Sequence, residues 1–420
     1  MSPTFRSLAN ANYRRYAAGG VVSNTGTWMQ RVAQDWLVLQ LSHNSGTALG
    51  ITTGLQFLPF LVLAPFAGLV ADRMSKHRLL QLTNVAMAAP ALVLGVLAIT
   101  GRAELWHVFV LAFTLGAASV FDAPARQSFV SEIVGPDDVS NAVGLNSASF
   151  NAARLIGPAA AGLLIAALGG GVVATGWVIL FNAVSYVAPI LALRSMDQKL
   201  LEPAPLVART PRMIRAGFGY VRRRPELMLV LGIVFFTGTF GLNFQMTSAL
   251  MATEVYGKGA SEYGLLGSFM AIGSLAGALI AARRVRIRHR LIVGAAVLFG
   301  VVEIAAGLMP TYLTYALVTP LLGITALTMI TAANTFMQMN TAPSMRGRVM
   351  ALYMMIFMGG TPLGAPLIGW IGEALGARWT LLLGGGLTIA GVLASVALFL
   401  HSRPAQAARA EVADSHPVAA

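Results

Sequence analysis

The chain has 420 residues, 56% of them hydrophobic and only 11% charged, with a net charge of +13. Soluble domains carry about 25% charged residues, so this composition excludes an ordinary soluble domain and points to a polytopic membrane protein. There is no cysteine, which excludes disulfides, thiol catalysis and cysteine-ligated metals.

Apolar stretches of roughly 20 residues recur, the length a helix needs to cross about 30 Å of hydrocarbon. Twelve spans are predicted, at 17–41, 47–70, 79–100, 105–127, 141–168, 172–193, 226–251, 261–281, 291–309, 312–334, 349–371 and 378–400. Spans this long, without two-residue alternation, read as helices and not as a barrel. Basic residues crowd the loops on one side: Arg6, Arg14, Arg15, Arg73, Lys76, Arg78, Arg126, eight Lys or Arg between 194 and 224, five arginines at 283–290, Arg346, Arg348, Arg403 and Arg409. The opposite loops carry Arg102, Lys258 and Arg378. This asymmetry is the positive-inside pattern. It predicts an even number of spans with both termini in the cytoplasm, accounts for the basic charge without nucleic acid, and leaves no cleavable signal peptide at the polar N-terminus.

Span one carries "TWMQRVAQDW" at 27–36, in which Arg31 and Asp35 lie one helical turn apart. Asn24, Trp28, Arg31 and Asp35 fall near one helix face. An Arg or Asp at a span centre costs roughly 2.5–3.5 kcal/mol, so this face is predicted to line a wet cavity. Three readings stand: the two form a structural bridge, Asp35 carries a coupling proton, or Arg31 attracts an anionic group of a substrate. Arg154 in span five is a second intramembrane charge without a local acid, with Asp122 near the end of span four as its candidate partner. Glu303 in span nine is a third. Gly157, Pro158 and Gly162 in span five are expected to bend or tightly pack the helix. Gly360, Pro362 and Gly364 do the same in span eleven, because proline removes one helical hydrogen bond.

The longest polar gap, 194–225, divides the spans six and six. Within it Ile214, Phe218 and Val221 predict a short amphipathic helix on the cytoplasmic leaflet; the alternative is a solvated basic linker. The expected organisation is an N-terminal bundle at 1–193, this linker at 194–225, a C-terminal bundle at 226–400 and a disordered tail at 401–420. The halves also echo one another: Gly157, Gly162, Ala167, Leu168 and Gly169 match Gly364, Gly369, Ala374, Leu375 and Gly376 at constant offset, and "AG" followed by "HRL" occurs at Gly68 and again at Gly277. Parallel duplication of this kind predicts an all-α membrane protein of twelve transmembrane helices in two pseudo-twofold-related bundles.

"GLVADRMSKHR" after span two resembles the signature loop of the major facilitator superfamily, with Gly68, Asp72, Arg73, Lys76 and Arg78 on its pattern and Ser75 where a second glycine is usual. The second-half copy, "ARRVRIRHR", lacks the aspartate, and "IGPAAAG" resembles the superfamily's antiporter motif. "WMQRVAQDWLVLQLS", "FDAPARQSFVSEIV" and "NAVGLNSASFNAARLIGPAAAGLL" are similar to the drug:proton antiporter branch that includes the enterobactin exporter and transmembrane secretion effectors. The resemblance implies a central cavity lined mainly by spans one, four, seven and ten, and rocking of the halves. It also implies that Asp72 latches the cytoplasmic side against the start of span eleven, with Arg73, Arg126 and Arg348 completing a charge cluster; a carboxylate at a helix N-terminus gains about 0.3–1 kcal/mol. Phe236, Asn243 and Phe244 in span seven, Tyr315 and Asn334 in span ten, and Tyr353 in span eleven are then candidate cavity residues, a wall suited to bulky amphipathic cargo.

The leading expectation is proton-coupled efflux of a small amphipathic compound, drug- or siderophore-like, by a monomer in the cell membrane. It would be powered by the proton gradient and need no cofactor or metal. Uptake of a metabolite is the same-class alternative, and a non-transporting receptor or scaffold the different-class one. HExxH, GxSxG and GxxxxGK[ST] patterns are all missing, which argues against a membrane enzyme and against ATP-driven transport by this chain alone.

Overall fold

The computed structural model describes residues 3–202, 213–282 and 288–415, without the side chains of residues 3, 65, 68, 69, 71, 72, 213–216, 281, 282, 344 and 402–415. Twelve rods follow in chain order. Span one is Ala11–Leu41, two Gly46–Arg73, three Lys76–Ile99, four Leu105–Ile133, five Val139–Ala167, and six Val172–Ser185 with Val187–Arg194. Span seven opens with Pro225–Phe236 and Phe244–Leu250; spans eight, nine and ten are Ala260–Ala282, His289–Gly307 and Tyr312–Met339; eleven is Pro343–Gly359 with Thr361–Leu375; twelve is Ala377–Ser415. Among the described residues, eleven helices are long and apolar enough to cross a membrane. Span one, with Arg14, Arg15, Arg31 and Asp35, falls outside that group but packs along spans five and six like a bundle member.

The helix ends follow local chemistry. Asn10 caps span one, accepting from the Tyr13 amide at 3.0 Å, and Ser45 caps span two, accepting from the Ala48 amide at 3.1 Å. Span one therefore begins six residues before the predicted start. Span seven is interrupted by two π-helical segments, Thr237–Gly241 and Met251–Val255, which apolar periodicity does not foresee. Span eleven breaks at Gly360, where Pro362 cannot donate to the preceding turn. Span twelve continues past residue 401 to Ser415, where composition predicts a disordered tail; alanine is a strong helix former.

The amphipathic helix of the linker is present at Met213–Arg222. The side chain of Ile214 and all of residues 203–212 lie outside the described residues. Val221 is fully buried in the C-terminal core while Phe218 is exposed, and Gly217 rests on the Arg348 backbone. The helix thus docks on span eleven through Gly217 and Val221, so Phe218 and Val221 do not share one environment.

The halves meet through two reciprocal contacts, span two with span eleven and span five with span eight. Exchanging halves turns one pair into the other, as a pseudo-twofold axis requires. The contacts are close because small residues face each other: a Cβ on Gly369 would lie 2.2 Å from the Gly46 carbonyl oxygen, and one on Gly162 2.3 Å from that of Ala260. Both lie toward the end opposite the termini. There one apolar core joins the two halves, from Leu37 and Ile165 to Leu266 and Ile368. Toward the termini the core splits in two, one around Tyr13 and Phe129, the other around Val230 and Tyr353. Among the described residues, the apolar core that the two bundles share therefore lies at the far end.

Candidate functional site between the bundles

Span one delivers its polar face to the junction of the halves. Asp35, 8% exposed, accepts a 2.7 Å hydrogen bond from the Tyr263 hydroxyl of span eight, in the other bundle. The Tyr263 ring stacks on Trp36, 6.5 Å between centroids and 21° between planes. The structural bridge between Arg31 and Asp35 is not formed: among the described residues ion pairs occur only at Arg6–Asp138, Lys76–Glu132 and Asp122–Arg126. Arg31 turns instead onto the ring of Trp28, 4.7 Å from its centroid, and Arg154 approaches the same ring at 5.5 Å. Trp28 meets Phe150 edge-on at 5.7 Å, and Gly157 lets span five come within 2.6 Å of the Trp28 Cβ, measured from where its own Cβ would sit.

An adjoining strip of span one is tied down by amides and hydroxyls. Gln34 donates to Gln56 of span two at 3.0 Å, Asn182 of span six donates to Gln30, and Thr27 pairs with Tyr186 at 3.3 Å. Such bonds hold neighbouring membrane helices in register, so this face of the helix belongs to its own bundle. Three further interactions cross between bundles: Ser45 Oγ donates to Glu373 at 2.6 Å, the Thr47 amide to the same carboxylate at 3.0 Å, and Ser268 to the Leu155 carbonyl at 2.5 Å. Sequence reasoning missed Tyr263 and Glu373. A tyrosine in an apolar span signals a hydroxyl in need of a partner, but its position does not say on which helix.

The expected latch is only partly placed. The side chains of Gly68 and Asp72 lie outside the described residues, as does the backbone of 283–287. Arg126 is bound to Asp122 at 2.8 Å within span four, and Asp122 also accepts from Thr83 at 2.8 Å. Asp122 is therefore not the partner of Arg154, and Arg126 is not drawn to Arg348. Lys76 pairs with Glu132, which sequence reasoning did not single out. Arg73, Arg78 and Arg348 form no ion pair among the described residues; Arg348 leans on the Met345 sulfur at 3.5 Å.

The bending motifs act as close-packing surfaces. Span five stays one helix through Pro158, and Gly162 and Pro158 receive span eight. In span eleven, Gly360 and Gly364 face the π segment of span seven; a Cβ on Gly364 would lie 1.7 Å from the Thr239 carbonyl oxygen. Pro362 and Pro366 lie against Gly54 of span two.

Several expected cavity residues are inside the C-terminal bundle instead. Phe236 packs on Gly391 of span twelve and stacks on Phe240. Asn243 is buried and donates to the Thr239 carbonyl at 3.0 Å; Tyr315 is buried with its hydroxyl 3.1 Å from Ser248; Tyr353 is buried against Phe357 with its hydroxyl on the Ile330 carbonyl at 3.4 Å. Phe244 packs against the shared core. Asn24 and Asn334 are half-buried, and Asn334 accepts from Gln338 one turn on. The physical reason is common to all: a membrane helix is apolar on every side, so its sequence does not mark which face meets a neighbour.

A family model described as "Transmembrane secretion effector" matches residues 2–419. The chain belongs to that family of the major facilitator superfamily. It is 28% identical over 380 residues to the "Multidrug efflux pump Tap" of Mycolicibacterium fortuitum, covering 86% of this chain and 89% of that one. It is 24% identical over 354 residues to the "Staphyloferrin A transporter" of Staphylococcus aureus, covering 84% and 87%. Among solved structures, a point mutant of the nucleoside transporter NupG superposes with a TM-score of 0.72 at 12% identity, covering 92% of this chain and all (100%) of that chain. A D-xylose-proton symporter gives 0.70 at 11%, covering 91% and 96%. These likenesses establish the major facilitator fold and a multi-pass membrane transporter.

Within this transporter Glu303, on span nine, faces its own bundle. It is 2% exposed, inside the C-terminal bundle. Its oxygens face Gly241 in the π segment of span seven and Gly384 in span twelve, and Oε2 has no hydrogen-bond partner among the described residues.

Proposed function

We propose that this transporter exports a small amphipathic compound in exchange for protons, by exposing a site between the bundles alternately to the two sides of the membrane. Both termini lie in the cytoplasm in this reading, which rests on the positive-inside asymmetry. The sealed end is then the outer one, and the site opens inward.

The observation that carries the reading is the Asp35–Tyr263 hydrogen bond, an acid in the outer half of a membrane span held by the opposite bundle. A hydrogen bond to an ionised acceptor is worth about 1.5–3 kcal/mol and a neutral one about 0.5–1.5. Releasing the Asp35 proton to the cytoplasm therefore tightens the outer seal, and the empty carrier stays inward until cargo arrives beside Trp28. On the outer side, Asp35 takes up a proton once Tyr263 has moved away with its bundle. The relative described as the multidrug efflux pump Tap supports export as the direction.

The test is transport in proteoliposomes under an imposed pH gradient. Wild-type extrusion of a fluorescent amphiphile should follow the gradient, while Asp35→Asn should abolish gradient-driven extrusion and retain exchange of cargo for cargo. Extrusion indifferent to the gradient removes proton coupling; an active Asp35→Asn removes Asp35 as the carrier.

A further inference from the structure

Arg31 and Arg154 come from different helices, spans one and five, and converge on one indole, Trp28, at 4.7 and 5.5 Å. Both are half-buried in mid-span. Neither has an ion pair or hydrogen bond among the described residues, and the acid closest in sequence, Asp35, is engaged by Tyr263. Among the described residues the neighbouring spans contribute Gln56, Tyr186 and Tyr263 here, and Asp35 is the one carboxylate that acts on either arginine. An arginine in mid-membrane costs roughly 2.5–3.5 kcal/mol. A cation–π contact returns about 0.5–1 kcal/mol when exposed and about 2 when desolvated. Two such arginines side by side, repelling one another, leave a deficit that these two contacts do not offset.

We propose that Arg31, Trp28 and Arg154 form the cargo site of this transporter and that it takes an amphipathic anion, a carboxylate borne on a flat apolar or aromatic body. This rests on the transport reading above and names its substrate class. The guanidinium fork matches a carboxylate with two parallel hydrogen bonds. The indole face and the Phe150 edge receive a ring, and Gly157 seats the indole by bringing span five onto its Cβ. Cargo on Arg31 also withdraws that cation from Asp35, one turn away, so the acid that exchanges the proton lies next to the group that reads the cargo's charge. An anion leaving as a proton enters carries charge in one electrical sense, so export responds to membrane potential as well as to pH.

The experiment is equilibrium binding to the purified full chain in detergent, with no gradient, using 1-naphthoate and its neutral isostere 1-naphthamide. Naphthoate should bind saturably and at least about tenfold tighter than the amide, the weight of one charge-assisted hydrogen bond. Arg31→Gln and Arg154→Gln should each erase that preference, Arg154→Lys should keep part of it, and Phe150→Ala should weaken both probes alike. Equal binding of the two probes by the wild type, or no binding of naphthoate, overturns the proposal without any variant having to fold. Preference kept in both glutamine variants overturns the site. Because no gradient is present, a chain that prefers naphthoate yet ignores a pH gradient in transport refutes proton exchange and leaves the anion site standing.

Discussion

Tyr263→Phe removes one hydroxyl and leaves the ring that stacks on Trp36. The lost bond, 2.7 Å to an acid that is 8% exposed, is worth about 1.5–3 kcal/mol if Asp35 is ionised, and no other donor to that carboxylate is seen among the described residues. The bond exists only while the far ends of the bundles are together. Its loss should therefore shift the closed-to-open ratio of that end about tenfold to a hundredfold toward open. The chain contains no cysteine, so spin labels can be attached at Arg102→Cys and Lys258→Cys without background. Both positions are exposed in loops at that end, on opposite bundles. Pulsed distance measurement should show a short population in the wild type and a larger long-distance population in Tyr263→Phe. Asp35→Asn should move the distribution the same way, and the double variant no further than the more severe single one. An unchanged distribution in Tyr263→Phe, or two effects that simply add, would show that the bond does not hold the seal.

Gly364→Ala places a methyl on the Thr239 carbonyl, where the gap is 1.7 Å; overpacking should cost about 1–3 kcal/mol, read as a lower unfolding temperature in detergent. Glu303→Leu removes a buried, unpartnered oxygen and should raise that temperature, since an unsatisfied polar group costs about 1–3 kcal/mol; a drop would mean the carboxyl has a partner in the folded protein. Asp122→Asn should weaken the tie to Arg126 and Thr83 and lower stability, with cargo affinity unchanged in binding assays.

The extent to which the sequence discloses this molecule differs by level. Span lengths and loop charge locate the rods, because lipid forces every backbone donor into a helix, and the small-residue matches at Gly162 and Gly369 mark the surfaces where the halves touch. Span one is legible in the opposite way: its Arg31 and Asp35 would be too costly facing lipid, so they flag the junction. What stays hidden is rotation and pairing. Tyr315 and Tyr353 are cavity candidates through the resemblance yet bond inside their own bundle, since the surrounding side chains are apolar on every face. The seating of Trp28 under Arg31 involves Gly157 from span five, a contact across 129 positions that no local pattern encodes. The π segment at Thr237–Gly241 leaves a trace in its glycines and threonines, but only the approach of Gly360 and Gly364 explains why the helix widens there.

Spans two and eleven run antiparallel, and this makes their ends complementary. Glu373, near the C-terminal end of span eleven, caps the first turn of span two through Ser45 and Thr47. The resemblance to the signature loop assigns the converse to Asp72, near the C-terminal end of span two, which would meet the first turn of span eleven. Each carboxylate then sits on the other helix's N-terminus, at opposite faces of the membrane, and rocking that closes one cap opens the other. Each is worth about 0.3–1 kcal/mol, less at high salt because the ends are wet. We therefore expect Glu373→Gln to shift the same spin-label distances toward an open far end, Asp72→Asn to shift them toward a closed one, and the double variant to return near the wild-type ratio. The shifts should shrink as salt rises. Two variants that move the equilibrium the same way would show that the carboxylates do not oppose each other, and the rocking balance would have to be set elsewhere along the span two–span eleven contact.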